Sequence, residues 1–225
     1  MKTIRLPSLL VLAAVFLGHS AAAQKVAAPA APAAPAITAT PVVTKEAWSF
    51  SASAYTYFVP DDTDYVQPTF TADRGQLHLE ARYNYENFDT GSVWVGVNFS
   101  GGDKLTWEIT PMLGGVFGET KGVAPGYKGA LGWGMLELYS EGEYVFDSGG
   151  SADSFFYHWS ELTLAPLEWL RFGLVTQRTQ VYKSERDIQR GLLAGLTFKR
   201  WNFTGYVFNL DLDKPTGVVA VGLTF

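Results

Sequence analysis

The stretch QLHLEARYNYE, residues 76–86, alternates polar and apolar side chains without interruption. Its polar side chains stand at even positions and its apolar side chains at odd positions. A period of two predicts a β-strand, because successive side chains leave a pleated strand on opposite faces. In a soluble protein the apolar face fills a core, whereas in a barrel that crosses a membrane the apolar face is the outer one. The stretch therefore raises the question of which face meets which solvent.

The same period recurs along the chain, between joints rich in Gly, Asp, Asn, Pro and Ser. No helical pattern of useful length interrupts it, so the sequence predicts an all-β fold. Twelve strands are predicted, near residues 47–59, 65–72, 76–87, 92–100, 104–117, 127–134, 136–147, 154–165, 168–181, 189–199, 201–210 and 216–225. A different division of residues 60–75 and 132–143 would give ten strands.

The lengths of the joints favour twelve strands over ten. Joints after even-numbered strands, such as ADRG and APLE, are short, whereas GETKGVAPG, DSGGSAD and KSERD follow odd-numbered strands and are longer. Short turns at one end and longer loops at the other are typical of outer-membrane barrels. An even number of strands also brings both chain ends to the turn side. We therefore predict a transmembrane antiparallel β-barrel.

Composition agrees with a barrel and excludes several other classes of protein. Outside the first twenty residues the chain has no apolar run of about 18 residues, so no transmembrane helix is predicted. Charges of both signs share the polar faces, and Tyr and Trp flank the apolar faces, as at a lipid interface. A net charge of −5 without a basic stripe argues against nucleic acid as a partner. Periodicity alone also fits a soluble secreted β-sandwich that binds a ligand, and that alternative stays open.

The N-terminal region predicts export. Residues 1–23 contain Lys2 and Arg5, an apolar run from Leu9 to Leu17 and three alanines before Gln24, which is the layout of a cleaved signal peptide. Residues 24–46 are rich in Ala and Pro, which favours an extended spacer. The spacer is either an inert tail or a contact site for an envelope partner. Residues 47–225 remain for the barrel, and the predicted location is the bacterial outer membrane.

The C-terminal segment VAVGLTF places Val219, Val221, Leu223 and the terminal Phe225 on one face of the last strand. This ending resembles the C-terminal signature of Gram-negative outer-membrane β-barrel proteins, an alternating apolar strand that ends in an aromatic residue. The resemblance implies that these four residues are an assembly signal read by the barrel assembly machinery. It also implies that the barrel is surrounded by outer-membrane lipid. The motif is general to such barrels and does not specify a function.

Charged and polar residues on the inner faces are the candidate functional residues. The predicted lumen-lining residues are His78, Glu80, Arg82, Glu108, Glu137, Glu141, Arg171 and Gln177. About twelve strands enclose a bore that can hold water or a small solute, and charges across a bore select what passes. The sequence therefore predicts porin-like passive passage of small polar solutes, or a structural role if the charges only pair with one another. Arg82 is expected to pair with Glu108 or Glu141.

A lipid hydrolase is the alternative from another functional class. In FYHWSEL, residues 156–162, His158 and Ser160 share a face with Leu162 and so point outward. This pair resembles the outer-membrane phospholipase A family, which implies a Ser160 nucleophile and a His158 base. That family also needs an orienting Asn, and the next strand offers only Thr176, Gln177 and Thr179. The competing interpretation is that both residues lie at the lipid interface beside an aromatic belt of Phe155, Phe156, Tyr157 and Trp159.

Metal and cofactor sites are not predicted. Two isolated histidines beyond residue 23 and scattered carboxylates lack the spacing of metal ligands, and the absence of cysteine removes thiolate ligands.

Overall fold

The computed structural model describes residues 46–149, 154–178 and 188–225. The predicted signal peptide, and the spacer up to residue 45, lie outside the described residues. The described strands are β1 (Ser49–Phe58), β2 (Tyr65–Arg74), β3 (Leu77–Tyr83), β4 (Thr90–Val97), β5 (Phe99–Gly101), β6 (Leu105–Gly118), β7 (Gly122–Trp133), β8 (Leu136–Asp147), β9 (Phe155–Leu167), β10 (Leu170–Arg178), β11 (Gln189–Phe198), β12 (Trp201–Phe208) and β13 (Thr216–Thr224). No helix in these ranges is long and apolar enough to cross a membrane.

The sheet closes into a barrel of twelve strands. The short β5 continues β4 beyond Asn98, and both segments pair with β6, so together they count as one barrel strand. Strands adjacent in sequence pair antiparallel, and β1 pairs with β13 from Ser51↔Thr224 to Phe58↔Gly217. Closure leaves no unpaired edge among the described strands, which is the condition for a β-structure to cross lipid. The predicted all-β barrel of twelve strands is confirmed, and the ten-strand alternative is wrong.

The two ends of the barrel differ in their connections. The turn end has the short joints 75–76, 102–104, 134–135, 168–169 and 199–200 together with both ends of the barrel sheet. Gly75 and Gly134 have φ values of 57° and 60°, which a glycine adopts without strain. The loop end has the joints 59–64, 84–89, 119–121 and 209–215, together with the strand ends Asp147, Phe155, Arg178 and Gln189.

One predicted loop is mostly strand. The sequence GETKGVAPG was expected to connect two strands, yet β6 continues to Gly118 and β7 begins at Gly122. The strand predicted near 127–134 is therefore too short. Val123 is exposed on the outer wall and Ala124 is fully buried, so the period of two runs through a segment that its Gly and Pro content marked as loop.

The opening stretch follows its predicted faces until the end of β3. Leu77 and Leu79 are exposed on the outer wall, whereas His78, Glu80 and Arg82 are buried inside. The alternation predicted that Tyr85 would face outward like Leu77 and Leu79, but its side chain is buried in the interior. The strand ends at Tyr83, and Asn84 has a φ of 54°, so the chain turns and the alternation of faces is lost.

The outer wall has aromatic rings at both ends and aliphatic side chains between them. Exposed aromatic residues at the turn end are Trp48, Trp107, Trp133, Trp169, Phe198, Trp201 and Phe225, and those at the loop end are Phe58, Tyr83, Phe117, Tyr144, Phe146 and Phe156. Exposed Val95, Leu113, Leu174 and Leu192 lie between these two girdles. Aromatic girdles around an aliphatic band are the outer surface expected of a barrel in a bilayer.

Candidate functional site

The interior of the barrel has two unlike halves, and the loop-side half is filled with aromatic rings. The buried side chains that define it are Tyr57, Tyr65, Tyr85, Trp94, Val145, Tyr157, Trp159, Gln177, Phe208 and Val218. Tyr57 stacks on Tyr65 with 4.5 Å between ring centroids, and Tyr85 contacts Tyr157 at 4.7 Å. The first pair joins the neighbouring strands β1 and β2 and the second crosses the interior, so rings from several walls fill this half.

Glycines on the wall make room for one of these rings. The indole of Trp94 lies over the inner faces of Gly114 and Gly126. A Cβ atom added to Gly114 would come within 2.5 Å of the indole, and one added to Gly126 would come within 3.0 Å. The space opened by small residues on β6 and β7 is therefore occupied by a side chain of β4.

The turn-side half is lined by small polar and acidic side chains that remain partly accessible to water. The residues that define it are Ser51, Ser53, Thr71, Glu108, Ala130, Glu137, Thr197, Asn202 and Gly222. Of these residues Glu108 is exposed and the others are half-buried, whereas His78, Thr163 and Arg171, which also lie toward the turn end, are buried. Ser51 and Thr71 join their hydroxyl groups at 2.7 Å on neighbouring strands. Several inward side chains of this half are therefore more accessible to water than those of the loop-side half.

A charged cluster lies inside the barrel and links opposite walls. The Arg82 cluster consists of Arg82, Lys128, Glu80, Glu86, Glu141 and Glu143. Arg82 donates from Nε to Glu80 and from Nη1 to Glu143 Oε2 at 2.5 Å, and its Nη1 is 3.6 Å from Glu86 Oε1. Since β3 and β8 are not neighbours in the sheet, the contact with Glu143 crosses the interior.

Lys128 and two aromatic rings complete this cluster. Lys128 donates to Glu80, and its Nζ is 3.8 Å from Glu141 Oε2. The guanidinium carbon of Arg82 lies 4.2 Å from the ring centroid of Tyr85 and 4.4 Å from that of Trp94. The two rings therefore add cation–π contacts to the ion pairs of Arg82.

His78 connects this cluster to the turn end. Its Nδ1 lies 2.7 Å from Asp73 Oδ1, and its Nε2 lies 3.1 Å from Glu80 Oε2. Asp73 also accepts a hydrogen bond from Asn98 at 2.8 Å. With a carboxylate at each ring nitrogen, the imidazole is oriented by its partners rather than free to move.

A second charged group, the Arg171 cluster, consists of Arg171, Glu161, Trp159, Thr204 and Tyr206. Arg171 donates from Nη1 to Glu161 Oε2 at 2.5 Å and from Nη2 to Thr204 Oγ1 at 3.3 Å. The other oxygen of Glu161 accepts from Trp159 Nε1 at 3.0 Å and from the Tyr206 hydroxyl at 2.9 Å. One cation thus faces one carboxylate, and both carboxylate oxygens have donors.

The structure places all eight candidate lumen residues on inner strand faces. His78, Glu80, Arg82, Arg171 and Gln177 are buried, and Glu141 is half-buried. Gln177 accepts from the Tyr57 hydroxyl at 3.1 Å and donates to Gln189 at 2.6 Å, so it belongs to the packed half. Glu108 and Glu137 lie at the turn end, apart from the Arg82 cluster.

The predicted partner of Arg82 is wrong. Neither Glu108 nor Glu141 pairs with Arg82, which bonds Glu80 on its own strand and Glu143 across the interior. The sequence interpretation also left out Glu86, Lys128, Glu143 and Glu161. The parity of β7, β8 and β9 marks Lys128, Glu143 and Glu161 as inward, so alternation could have found them. Glu86 lies in the joint after β3, where no parity rule applies.

The candidate hydrolase pair lies on the outer wall, as its parity predicted. Ser160 Oγ is 3.1 Å from His158 Nε2 and donates to Ser140 Oγ at 2.9 Å, and Ser140 is 3.0 Å from the Tyr127 hydroxyl. Gly142 and Arg178 flank His158 in the ladder, and Thr176 lies opposite Ser160. Within the described residues, the neighbouring strands therefore place no carboxylate or amide side chain directly opposite this histidine in the ladder.

The aromatic belt predicted beside this pair is wrong. Tyr157 and Trp159 are buried in the interior and Phe155 packs against interior residues, so only Phe156 of the four belongs to the outer wall. The physical reason is the strict alternation of β9. Phe156 and His158 point outward, so Phe155, Tyr157 and Trp159 point inward.

The C-terminal residues lie at the seam of the barrel. Val219, Val221, Leu223 and Phe225 share the outer face of β13. Phe225 exchanges backbone hydrogen bonds of 2.9 and 3.0 Å with Phe50, and the two rings stack with 5.9 Å between centroids. The last residue of the chain therefore closes the sheet against its first strand.

Comparison with solved structures gives the same architecture. The KdgM porin superposes with a TM-score of 0.54 at 12% sequence identity, over 78% of this chain and 99% of that chain. The chain has the fold of a porin. A KdgM porin in complex with disordered oligogalacturonate gives a TM-score of 0.52 at 11% identity, over 79% and 99% of the two chains. No family model matches the sequence, and neither does any curated protein.

Proposed function

We propose that the protein is an integral outer-membrane barrel that gives small polar solutes passive passage. One observation carries this proposal: the outer wall is apolar, whereas the interior contains ion pairs and hydroxyl groups. A soluble sandwich keeps polar side chains on its outer faces, because its apolar side chains fill the core. The porin fold of the similar structures supports the same function.

The orientation follows from the two ends. The turn end, with both ends of the sheet, faces the periplasm, and the longer loops face outward. The half-buried turn-side half then forms a wide periplasmic mouth, and the loop-side half forms the constriction. Residues 1–23 act as the cleaved signal peptide, and the Ala/Pro spacer that follows is available to an envelope partner on the periplasmic side.

The test of passage is solute entry into vesicles. Purified barrel in phospholipid vesicles should admit a small neutral sugar such as arabinose, and planar bilayers should record discrete conductance steps. Protein heated in detergent before reconstitution serves as the control, because it lacks the barrel. Folded protein that admits no arabinose and carries no current would overturn passage and leave a structural role.

The test of location is fractionation of the cell envelope. The protein should be extracted from the outer membrane by detergent and should migrate faster on gels when unheated. Recovery in the soluble periplasm would contradict the membrane assignment and favour the secreted binding protein.

Assembly is expected to depend on the last residue. Phe225→Asp puts a charge where the apolar face of β13 meets lipid and β1, so the barrel assembly machinery should fail to insert the chain. We expect exported but unassembled protein in pulse-labelled cells, and Phe225→Trp should assemble normally. Wild-type surface levels of Phe225→Asp would contradict the role of this residue as an assembly signal.

A further inference from the structure

The charges inside the barrel are unequal in number. Among the described residues, and apart from Asp147 at the rim, the interior carries eight carboxylates: Asp73, Glu80, Glu86, Glu108, Glu137, Glu141, Glu143 and Glu161. Three permanent cations face them, Arg82, Lys128 and Arg171, apart from Lys104 and Arg200 in the turns at the opposite rim. Before His78 is counted, 8 − 3 leaves a net charge of −5 on the lining, and a protonated His78, which can donate to the carboxylates at both of its ring nitrogens, makes it −4.

The excess is concentrated in the Arg82 cluster. Four carboxylates there share the cations Arg82 and Lys128, whereas the Arg171 cluster has one carboxylate for one cation. Glu86 Oε2 and Glu143 Oε1 are buried and accept no hydrogen bond from the described residues. Buried carboxylate oxygens without donors are costly, and either a proton on the carboxyl group or an added cation offsets that cost.

Two more carboxylates lie at the turn end, where a solute from that side enters. Glu108 is exposed and Glu137 half-buried, and neither forms a salt bridge within the described parts of the chain. Glu108 lies on the inner face of β6 and Glu137 on the inner face of β8, with β7 between them. Charges of one sign in a low-dielectric passage attract ions of the opposite sign and repel those of the same sign.

We infer that the passage prefers cations: inorganic cations and small organic ammonium solutes enter more readily than anions of equal size. This inference rests on the proposed passage. Glu108 and Glu137 concentrate cations at the mouth, and the excess carboxylates around Arg82 and Lys128 favour them at the constriction. Arg82 and its rings set the width of the path.

The experiment separates charge preference from passage. Arabinose entry into vesicles measures passage alone. The zero-current potential of planar bilayers across a KCl gradient, and the relative entry of lysine and glutamate into vesicles, measure charge preference. Wild-type protein should admit arabinose, give a zero-current potential of the sign that K⁺ selectivity requires, and admit lysine faster than glutamate.

Two matched double variants locate the effect. Glu108→Gln with Glu137→Gln removes two charges from the inner wall, so the zero-current potential should shift toward zero while arabinose entry is retained. Asp103→Asn with Glu168→Gln removes two charges from turns outside the bore and should leave the zero-current potential unchanged.

Each outcome has one meaning. Arabinose entry with a Cl⁻ preference, or with no preference, overturns the inference and leaves the proposed passage intact. Equal shifts in both double variants also overturn it, because the charge effect would then belong to the surface. Absence of arabinose entry overturns the proposed passage and the inference with it.

Discussion

The loop-side and turn-side halves of the interior are built on the same twelve strands, yet the first is packed with rings and the second is partly accessible to water. In the loop-side half, inward positions carry rings such as Tyr57, Trp159 and Phe208, and these pack until little surface remains. In the turn-side half, the same strands carry residues such as Ser51 and Ser53 at inward positions, and water reaches them. Strand number sets the diameter of the barrel, so the size of the inward side chains decides which half is filled.

The largest expected effect comes from removing the guanidinium of Arg82, which lies in the loop-side half. Arg82→Ala leaves buried Glu80 and Glu143 without their strongest partner, and breaking a buried ion pair costs about 3–5 kcal/mol. Urea unfolding in phospholipid vesicles should reveal this loss. Arg82→Lys keeps the charge and should lose less. A variant as stable as the wild type would mean that the cluster does not support the packed half.

Removal of a ring should open the constriction. Trp159 contacts Tyr206 and Phe208 with centroid distances of 5.2 and 5.7 Å. Trp159→Ala should lower the free energy of unfolding by about 3 kcal/mol, since water can reach the cavity from the turn-side half. It should also raise single-channel conductance in planar bilayers. Trp133→Ala removes the same ring from the outer wall and should leave conductance unchanged. Equal conductance in both variants would place the constriction elsewhere.

A smaller effect is expected from one hydroxyl of the packed half. The Tyr57 hydroxyl donates to Gln177 at 3.1 Å, and both side chains are almost fully buried. Tyr57→Phe leaves the amide oxygen of Gln177 without that donor, at a cost of about 1–3 kcal/mol. Urea unfolding measures it. No change in stability would indicate that water replaces the hydroxyl, so that the loop-side half is wetter than its burial implies.

The smallest effect is expected for the matching hydroxyl pair of the turn-side half. Ser51 and Thr71 are joined at 2.7 Å but remain half-exposed, so water can replace either partner. Ser51→Ala should change the free energy of unfolding by no more than about 0.5 kcal/mol. The same urea titration compares it directly with Tyr57→Phe. A loss as large as that of Tyr57→Phe would erase the contrast between the halves.

The sequence alone was sufficient for the strands and for the two faces of most strands. A period of two is a local property, so it identifies His78 and Arg82 as partners on one face whatever the rest of the chain does. The same parity puts candidates as far apart as Glu108 and Gln177 on inner strand faces. It failed where a joint interrupts the period, as at Tyr85 after Asn84. It also failed where Gly and Pro concealed a strand, as at the start of β7.

Only the tertiary structure decided which inward residues meet. Arg82 bonds Glu143, which lies 61 positions along the chain on a strand across the interior. Such a contact depends on the tilt and stagger of every strand, and these are set by closure of β1 against β13 rather than by any local pattern. The division of the interior into a packed and an accessible half has the same origin. Alternation predicts which side chains point inward, but only the closed barrel determines how many of them share the same space.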